Sequence, residues 1–367
     1  MKYIDEFRNN QLAQSLAKKI KETVKDRKTT LMEVCGTHTV AIFRSGIKSL
    51  LPENLGLLSG PGCPVCVTPN YYLDKAIAYA RLKDTIIVTF GDMLRVPGSS
   101  SSLEKERANG CDIRVVYSTL EALEIAQDNP AKKVIFLAVG FETTSPTTAV
   151  VILKAREHNL KNFFVFSGHK LIPPALEALV NIIGLRVEGF LLPGHVSTII
   201  GSRPYEFVAE KYKVPGVIAG FEPVDILQAI YMLVKQIIEG KAKVEIQYTR
   251  SVKEEGNPKA KKLLDEVFWA TGSNWRGIGV IPLSGYFLKD GYRQFDVEEN
   301  ISVEVEVTQD KTGCICGDVL QGLKKPYECP LFAKVCTPEE PVGACMVSSE
   351  GTCAAYYKYA GVHRPSP

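Results

Sequence analysis

From Thr85 to Glu239 the chain repeats one pattern: a short apolar run, a glycine-containing polar turn, then a helix-prone stretch. The strand runs are Thr85–Phe90, Asp112–Val116, Lys133–Val139, Phe163–Phe166, Glu188–Leu192 and Val217–Ala219. Leu31–Val34 and Leu55–Leu58 precede them as shorter candidates. Strands separated by helices at this rhythm predict parallel α/β sheets. Ligands in such sheets bind beyond the carboxyl ends of the strands. The pattern predicts two parallel-sheet α/β domains around a cleft, dividing between residues 130 and 145, plus a loop-rich C-terminal lobe. The expected units are a helix in 1–30 packed on the body, a first α/β domain in 31–135, a second in 136–240, and a C-terminal domain in 241–367.

The flanks read differently. Phe7, Leu12, Leu16, Ile20 and Val24 recur at helical spacing, which predicts an amphipathic helix over 5–27. Beyond residue 240, Glu245–Tyr248 and Val303–Val307 read as strands, Asn257–Trp269 as a helix, and Ile278–Pro282 as a short apolar run. From Thr312 onward cysteine, proline and glycine dominate.

Two short motifs carry the chemistry. Gly60-Pro61-Gly62-Cys63-Pro64-Val65-Cys66 sets two sulfurs in a loop stiffened by proline and opened by glycine. Such a pair ligates a metal or cycles as a dithiol, and a CxxC of the second kind usually opens a helix. A third sulfur, Cys35, stands in Glu33-Val34-Cys35-Gly36-Thr37-His38. Thiolates suit iron, copper or zinc. His38 serves either as ligand or as a hydrogen-bonding neighbour. Spacing alone leaves the metal and redox readings of Cys35, Cys63 and Cys66 both open.

Ten cysteines are many for a chain with no export signal or long apolar span, from which a cytoplasmic setting is expected. Disulfides are disfavoured there, so clustered cysteines read as metal ligands or redox groups. Cys314, Cys316, Cys329, Cys336, Cys345 and Cys353 crowd the tail, in numbers sufficient for an iron–sulfur cluster or zinc. Cys314 and Cys316 alternate in direction if extended, so one of them is spare, and the same holds for Cys345. Cys111 stands alone and reads as a buried thiol. His169, His195, Asp92 and Glu142 end strands and are candidates to face the cleft, or else to make structural hydrogen bonds and caps. No nucleotide-binding glycine motif is present, and a formal charge of +3 does not advertise nucleic acid.

The two cysteine motifs, with Gly140-Phe141-Glu142-Thr143-Thr144, Gly168-His169-Lys170, Pro193-Gly194-His195, Gly220-Phe221-Glu222-Pro223 and the tail Gly343–Gly351, resemble the HypD family of [NiFe]-hydrogenase maturation factors. The resemblance implies a scaffold on which iron receives two cyanides and one carbon monoxide, giving an Fe(CN)2CO unit. It implies work in complex with HypC and with HypE, the cyanide donor charged through HypF, and delivery toward the hydrogenase large subunit. It also implies a [4Fe–4S] cluster in the C-terminal lobe, held by Cys314, Cys329, Cys336 and Cys353, with Cys316 and Cys345 as the alternatives. Cys35, Cys63 and Cys66 become the iron site with His38 alongside. The contrasting expectation is a thiol–disulfide redox enzyme that uses Cys63 and Cys66 alone.

Overall fold

The computed structural model describes residues 5–309 and 311–360, so the outermost ends of the expected first and last units lie outside the described residues. Eleven strands follow in chain order among them: β1 (Thr29–Glu33), β2 (Leu55–Ser59), β3 (Thr85–Thr89), β4 (Asp112–Val115), β5 (Lys133–Gly140), β6 (Phe163–His169), β7 (Gly189–Pro193), β8 (Gly216–Ala219), β9 (Val244–Ile246), β10 (Phe268–Trp275) and β11 (Gly279–Leu288). Two parallel sheets form, in the orders β2-β1-β7-β8-β9 and β4-β3-β5-β6. The predicted α/β class with two parallel sheets is what the chain adopts.

The strands do not sort at residues 130–145, however. β1 and β2 belong with β7, β8 and β9, and the whole second sheet is built from the chain between β2 and β7. β1 pairs with β2 on one side (Glu33 opposite Ser59) and with β7 on the other (Glu33 opposite Leu191). The local rhythm of strand and helix says nothing about partners. Pairing is decided by which apolar faces must be covered, and β1, buried along most of its length, needs a neighbour on both edges.

Burial explains the rest of the body. Val134 to Val139 of β5 are all buried, as expected for a strand covered by helices on both faces. The first helix runs Asn10–Val24, started by the Asn9 side chain accepting from Leu12 N at 3.0 Å. Leu16, Ile20 and Val24 are buried and pack in one core with the helix Pro223–Ile238, while Leu12 is exposed.

Two expectations past residue 240 change. The helix expected to reach Trp269 ends at Val267, and Phe268 begins β10. Val303–Val307 has no ladder partner among the described residues; alongside it Ser100 donates to Glu306 at 2.7 Å and Gln309 N to Ser99 at 2.8 Å. The short apolar run at Ile278–Pro282 leads into β11, the antiparallel partner of β10. Among the described residues the cysteine lobe holds short helices, Cys316–Leu320, Pro326–Glu328, Ala344–Val347 and Thr352–Tyr359, between loops. Among the described residues no helix is long and apolar enough to cross a membrane.

Candidate functional site

Adjacent parallel strands release their loops side by side. Because Glu33 and Ser59 are in register, the turn after β1 and the turn after β2 leave the sheet together. Gly60 N donates to the Glu33 carbonyl at 2.7 Å and Gly36 N to the Gly62 carbonyl at 2.8 Å. A Cβ on Gly62 would run into the main chain of Cys35. Glycine is therefore required for this approach, and the two motifs named from sequence meet directly.

Cys63 opens the short helix Pro64–Val67, with Pro64 in its first turn and Cys66 N donating to Cys63 Sγ at 3.2 Å. Cys63 and Cys66 are joined as a disulfide with Cα atoms 5.2 Å apart. Cys66 Sγ lies 4.0 Å from the Ala344 carbonyl, so the cysteine lobe sits against this helix.

Cys35 lies at the N-terminus of the helix Gly36–Arg44 and is buried. His195, in the first turn after β7, brings Nδ1 to 3.7 Å from its sulfur. His38 Nε2 donates to the Gly220 carbonyl, 3.0 Å away in the turn after β8. A carbonyl only accepts, so Nδ1 of His38 is the bare nitrogen; it is buried with no hydrogen-bond partner among the described residues. The Phe221 ring lies 5.0 Å from His38 and 5.6 Å from His195. Burial lowers both imidazoles to about 4, which keeps them neutral and able to bind metal at pH 7. Burial also pushes the Cys35 thiol far up, helped by the carboxylates of Glu350 and Glu33. A thiolate there needs a cation beside it.

Two carboxylates missed by the sequence reading frame this turn. Glu33 is buried and accepts from Cys35 N at 3.0 Å and from the Thr39 hydroxyl; burial raises it to about 7. Glu350 accepts from the Thr37 hydroxyl at 2.5 Å, and a Cβ on Gly36 would meet its Cβ at 2.6 Å. Both stood inside recognisable motifs, but nothing in their spacing announced burial.

The remaining candidates separate. His169 bonds Thr148 at 3.0 Å and packs edge-on against Phe268, away from Cys35. Glu142 accepts from Ile172 N at 2.9 Å, and Asp92 accepts from Ser348 at 2.8 Å. Cys111 is half-buried, apart from the other thiols.

In the tail, Cys316 and Cys345 bring their sulfurs to 3.1 Å. Cys314 adjoins Cys316, and Cys353 adjoins Cys345. Cys336 Sγ accepts from Val342 N at 3.3 Å, and Cys329 lies 3.8 Å from the Gly313 carbonyl. Cys316 and Cys345, expected as spares, thus lie between Cys314 and Cys353. The hydrogen bond to Cys316 and burial push the Cys314 thiol up; at Cys316 and Cys345 one sulfur neighbour lowers and the other raises, and burial leaves both thiols up; at Cys353 the bond to Cys345 lowers, and burial with the neighbouring thiols outweighs it. Among the described residues no three His, Cys, Asp or Glu side chains stand as a preformed metal-binding group.

A family model described as HypD, hydrogenase formation hypA family, matches residues 11–360. The chain belongs to the HypD family. Hydrogenase maturation factor HypD2 of Bradyrhizobium diazoefficiens is 49% identical over 368 residues, covering 98% of this chain and 97% of that one. HypD of Azotobacter vinelandii is 49% identical over 367 residues with the same coverage, and HypD of Escherichia coli 43% over 366 residues, covering 98% of each chain. In this HypD-family chain the cysteine turns and the cysteine-rich tail both lie within the matched residues.

Proposed function

We propose that this chain serves hydrogenase maturation as the scaffold on which iron acquires cyanide and carbon monoxide. The observation that carries the reading is the meeting of the Cys35 turn with the Cys63–Cys66 turn at the paired ends of β1 and β2. The names of the relatives, hydrogenase maturation factors, support the setting. Iron is the cargo. Cys35, Cys63 and Cys66 hold it, and its charge stabilises the Cys35 thiolate that burial disfavours. His195, neutral at physiological pH, lies beside that sulfur and orients it, while His38, also neutral, packs on Phe221 with His195. Cyanide and carbon monoxide favour low-spin ferrous iron, which soft thiolates hold firmly. HypC shares the iron, HypE donates cyanide, and the Fe(CN)2CO unit moves on toward the large subunit, all in the cytoplasm.

The cysteine lobe suits a [4Fe–4S] cluster by its donor chemistry, because it supplies six cysteines between residues 314 and 353 and its own apolar cluster is small. Cys314, Cys329, Cys336 and Cys353 are the assigned ligands. A bound cluster supplies single electrons. Opening the Cys63–Cys66 disulfide takes two electrons from a cellular reductant and two protons and yields two thiols, which release those protons to solvent as they bind iron as thiolates.

The test is Cys35→Ala in the purified complex with HypC. Loss of iron and of the infrared bands of bound cyanide and carbon monoxide is expected; unchanged bands sink the reading. The disulfide favours one rival, a thiol–disulfide exchanger without iron cargo. In that case Cys63→Ser abolishes activity toward a protein disulfide, and anaerobically purified protein carries no iron beyond the tail.

A further inference from the structure

The turn between β10 and β11 takes no part in the function just described, yet it is wedged between the two sulfur centres. Arg276 N donates to the Val67 carbonyl at 2.8 Å, Nε to the Thr68 carbonyl at 2.9 Å, and Nη1 to the Asn70 side-chain oxygen at 2.5 Å. These acceptors belong to the chain just after Cys66. On the other side Gln321 donates to the Gly277 carbonyl at 2.6 Å. Gly277 and Gly317 touch main chain to main chain, so closely that a Cβ on either would overlap the other. Arg276 also lines a cavity of about 300 Å³ together with Cys314, Cys316, Lys311 and Asp318.

One nitrogen of Arg276, Nη2, is buried without a hydrogen-bond partner, and no carboxylate forms an ion pair with the guanidinium among the described residues. A guanidinium keeps its charge in proteins, and a buried donor left unpaired is costly. Such a cation is retained where something anionic answers it. Cys314 and Cys316 line the same cavity as Arg276, and Cys345 Sγ lies 3.1 Å from Cys316 Sγ.

We propose that Arg276 is a positioning residue for both sulfur centres: its fork clamps the segment that follows Cys66, and its charge balances the thiolates of the cysteine lobe. The second half rests on the iron–sulfur reading of that lobe. A cation near a thiolate-bound cluster stabilises the reduced, more negative state. Lysine keeps the charge but cannot reproduce the planar fork.

The experiment compares anaerobically purified full-length protein with R276K and R276Q. It reads the cluster's midpoint potential and the hydrogen exchange of residues 64–70. R276Q is expected to lower the potential and to speed exchange several-fold. R276K is expected to hold the potential near its original value while exchange still speeds up. Original values of both quantities in R276Q overturn the proposal, as does an equal drop in potential in R276K, which would assign the effect to lost structure. Should R276Q fail to fold, Asn70→Ala removes one arm of the clamp and leaves the charge. Faster exchange at an unchanged potential then supports the proposal, and unchanged exchange overturns it. Protein that carries no iron at all counts against the cluster reading and the charge role together, while the exchange measurement still decides the clamp.

Discussion

Glu142 illustrates how a single buried residue sets the behaviour of the body. Burial raises its carboxyl to about 8, while Oε1 accepts from Ile172 N and Oε2 has no partner among the described residues. A carboxyl with a raised folded value binds its proton more tightly when folded. Its contribution is full below pH 4.5 and is lost as pH rises toward 8. The imidazoles of His38, His169 and His195, lowered to about 4, work in the opposite sense: their contribution is full above pH 6.5 and is lost as pH falls through 4. From pH 6.5 toward 8 the buried carboxyls set the slope, with Glu33 at about 7 adding to Glu142; Lys48 and Lys170, lowered by burial to about 8, act in the opposite sense only as pH reaches that value. Stability in urea is expected to fall across that window. Glu142→Gln, which keeps an acceptor for Ile172, is expected to flatten the fall; an equally steep decline in the variant refutes this account. Thr37→Val is expected to cost about 1–3 kcal/mol by stripping Glu350 of its donor, read from the urea midpoint.

At the scale of elements, the paired ends of β1 and β2 are held by a contact that tolerates no side chain. Gly62→Ala must push the Cys35 main chain away. The expected loss is about 1–3 kcal/mol, as for other overpacked sites. Alkylation of Cys35 should also become faster, and a variant with unchanged stability and reactivity would show the contact to be dispensable. This contact follows from features visible in the sequence: two apolar runs, each ending in a cysteine turn. What lies across from it was not visible. His195 reaches Cys35 because β7 pairs with β1, and that pairing joins residues far apart in the chain. Nor did local pattern reveal β10, where a helix was expected to continue through Phe268 and Trp269, or the unpaired course of Val303–Val307. The strands of the two sheets were legible because burial leaves apolar runs. Their partition was not, because apolar runs carry no address.

At the scale of the whole molecule, the cysteine lobe is the part with the least apolar packing. Its own cluster is small, with Phe332, Cys336, Met346 and Tyr356 buried at its centre. It is tied to the body by Thr37–Glu350, Asp92–Ser348 and the Arg276 turn. On the iron–sulfur reading proposed above, a lobe of this kind depends on the bound cluster for order. Destroying that group with a chelator and oxidant is expected to open residues 311–360 to limited proteolysis while both parallel sheets stay resistant; equal resistance before and after treatment would refute this. The interleaving of the two sheets has its own consequence for synthesis. As the chain emerges from the ribosome, all four strands of the inserted sheet are made before Gly189 arrives to close β1. Until then the nascent polypeptide carries Cys35 and the Cys63–Cys66 pair beside an open strand edge, so this stretch needs shielding from stray oxidation and mispairing longest during translation.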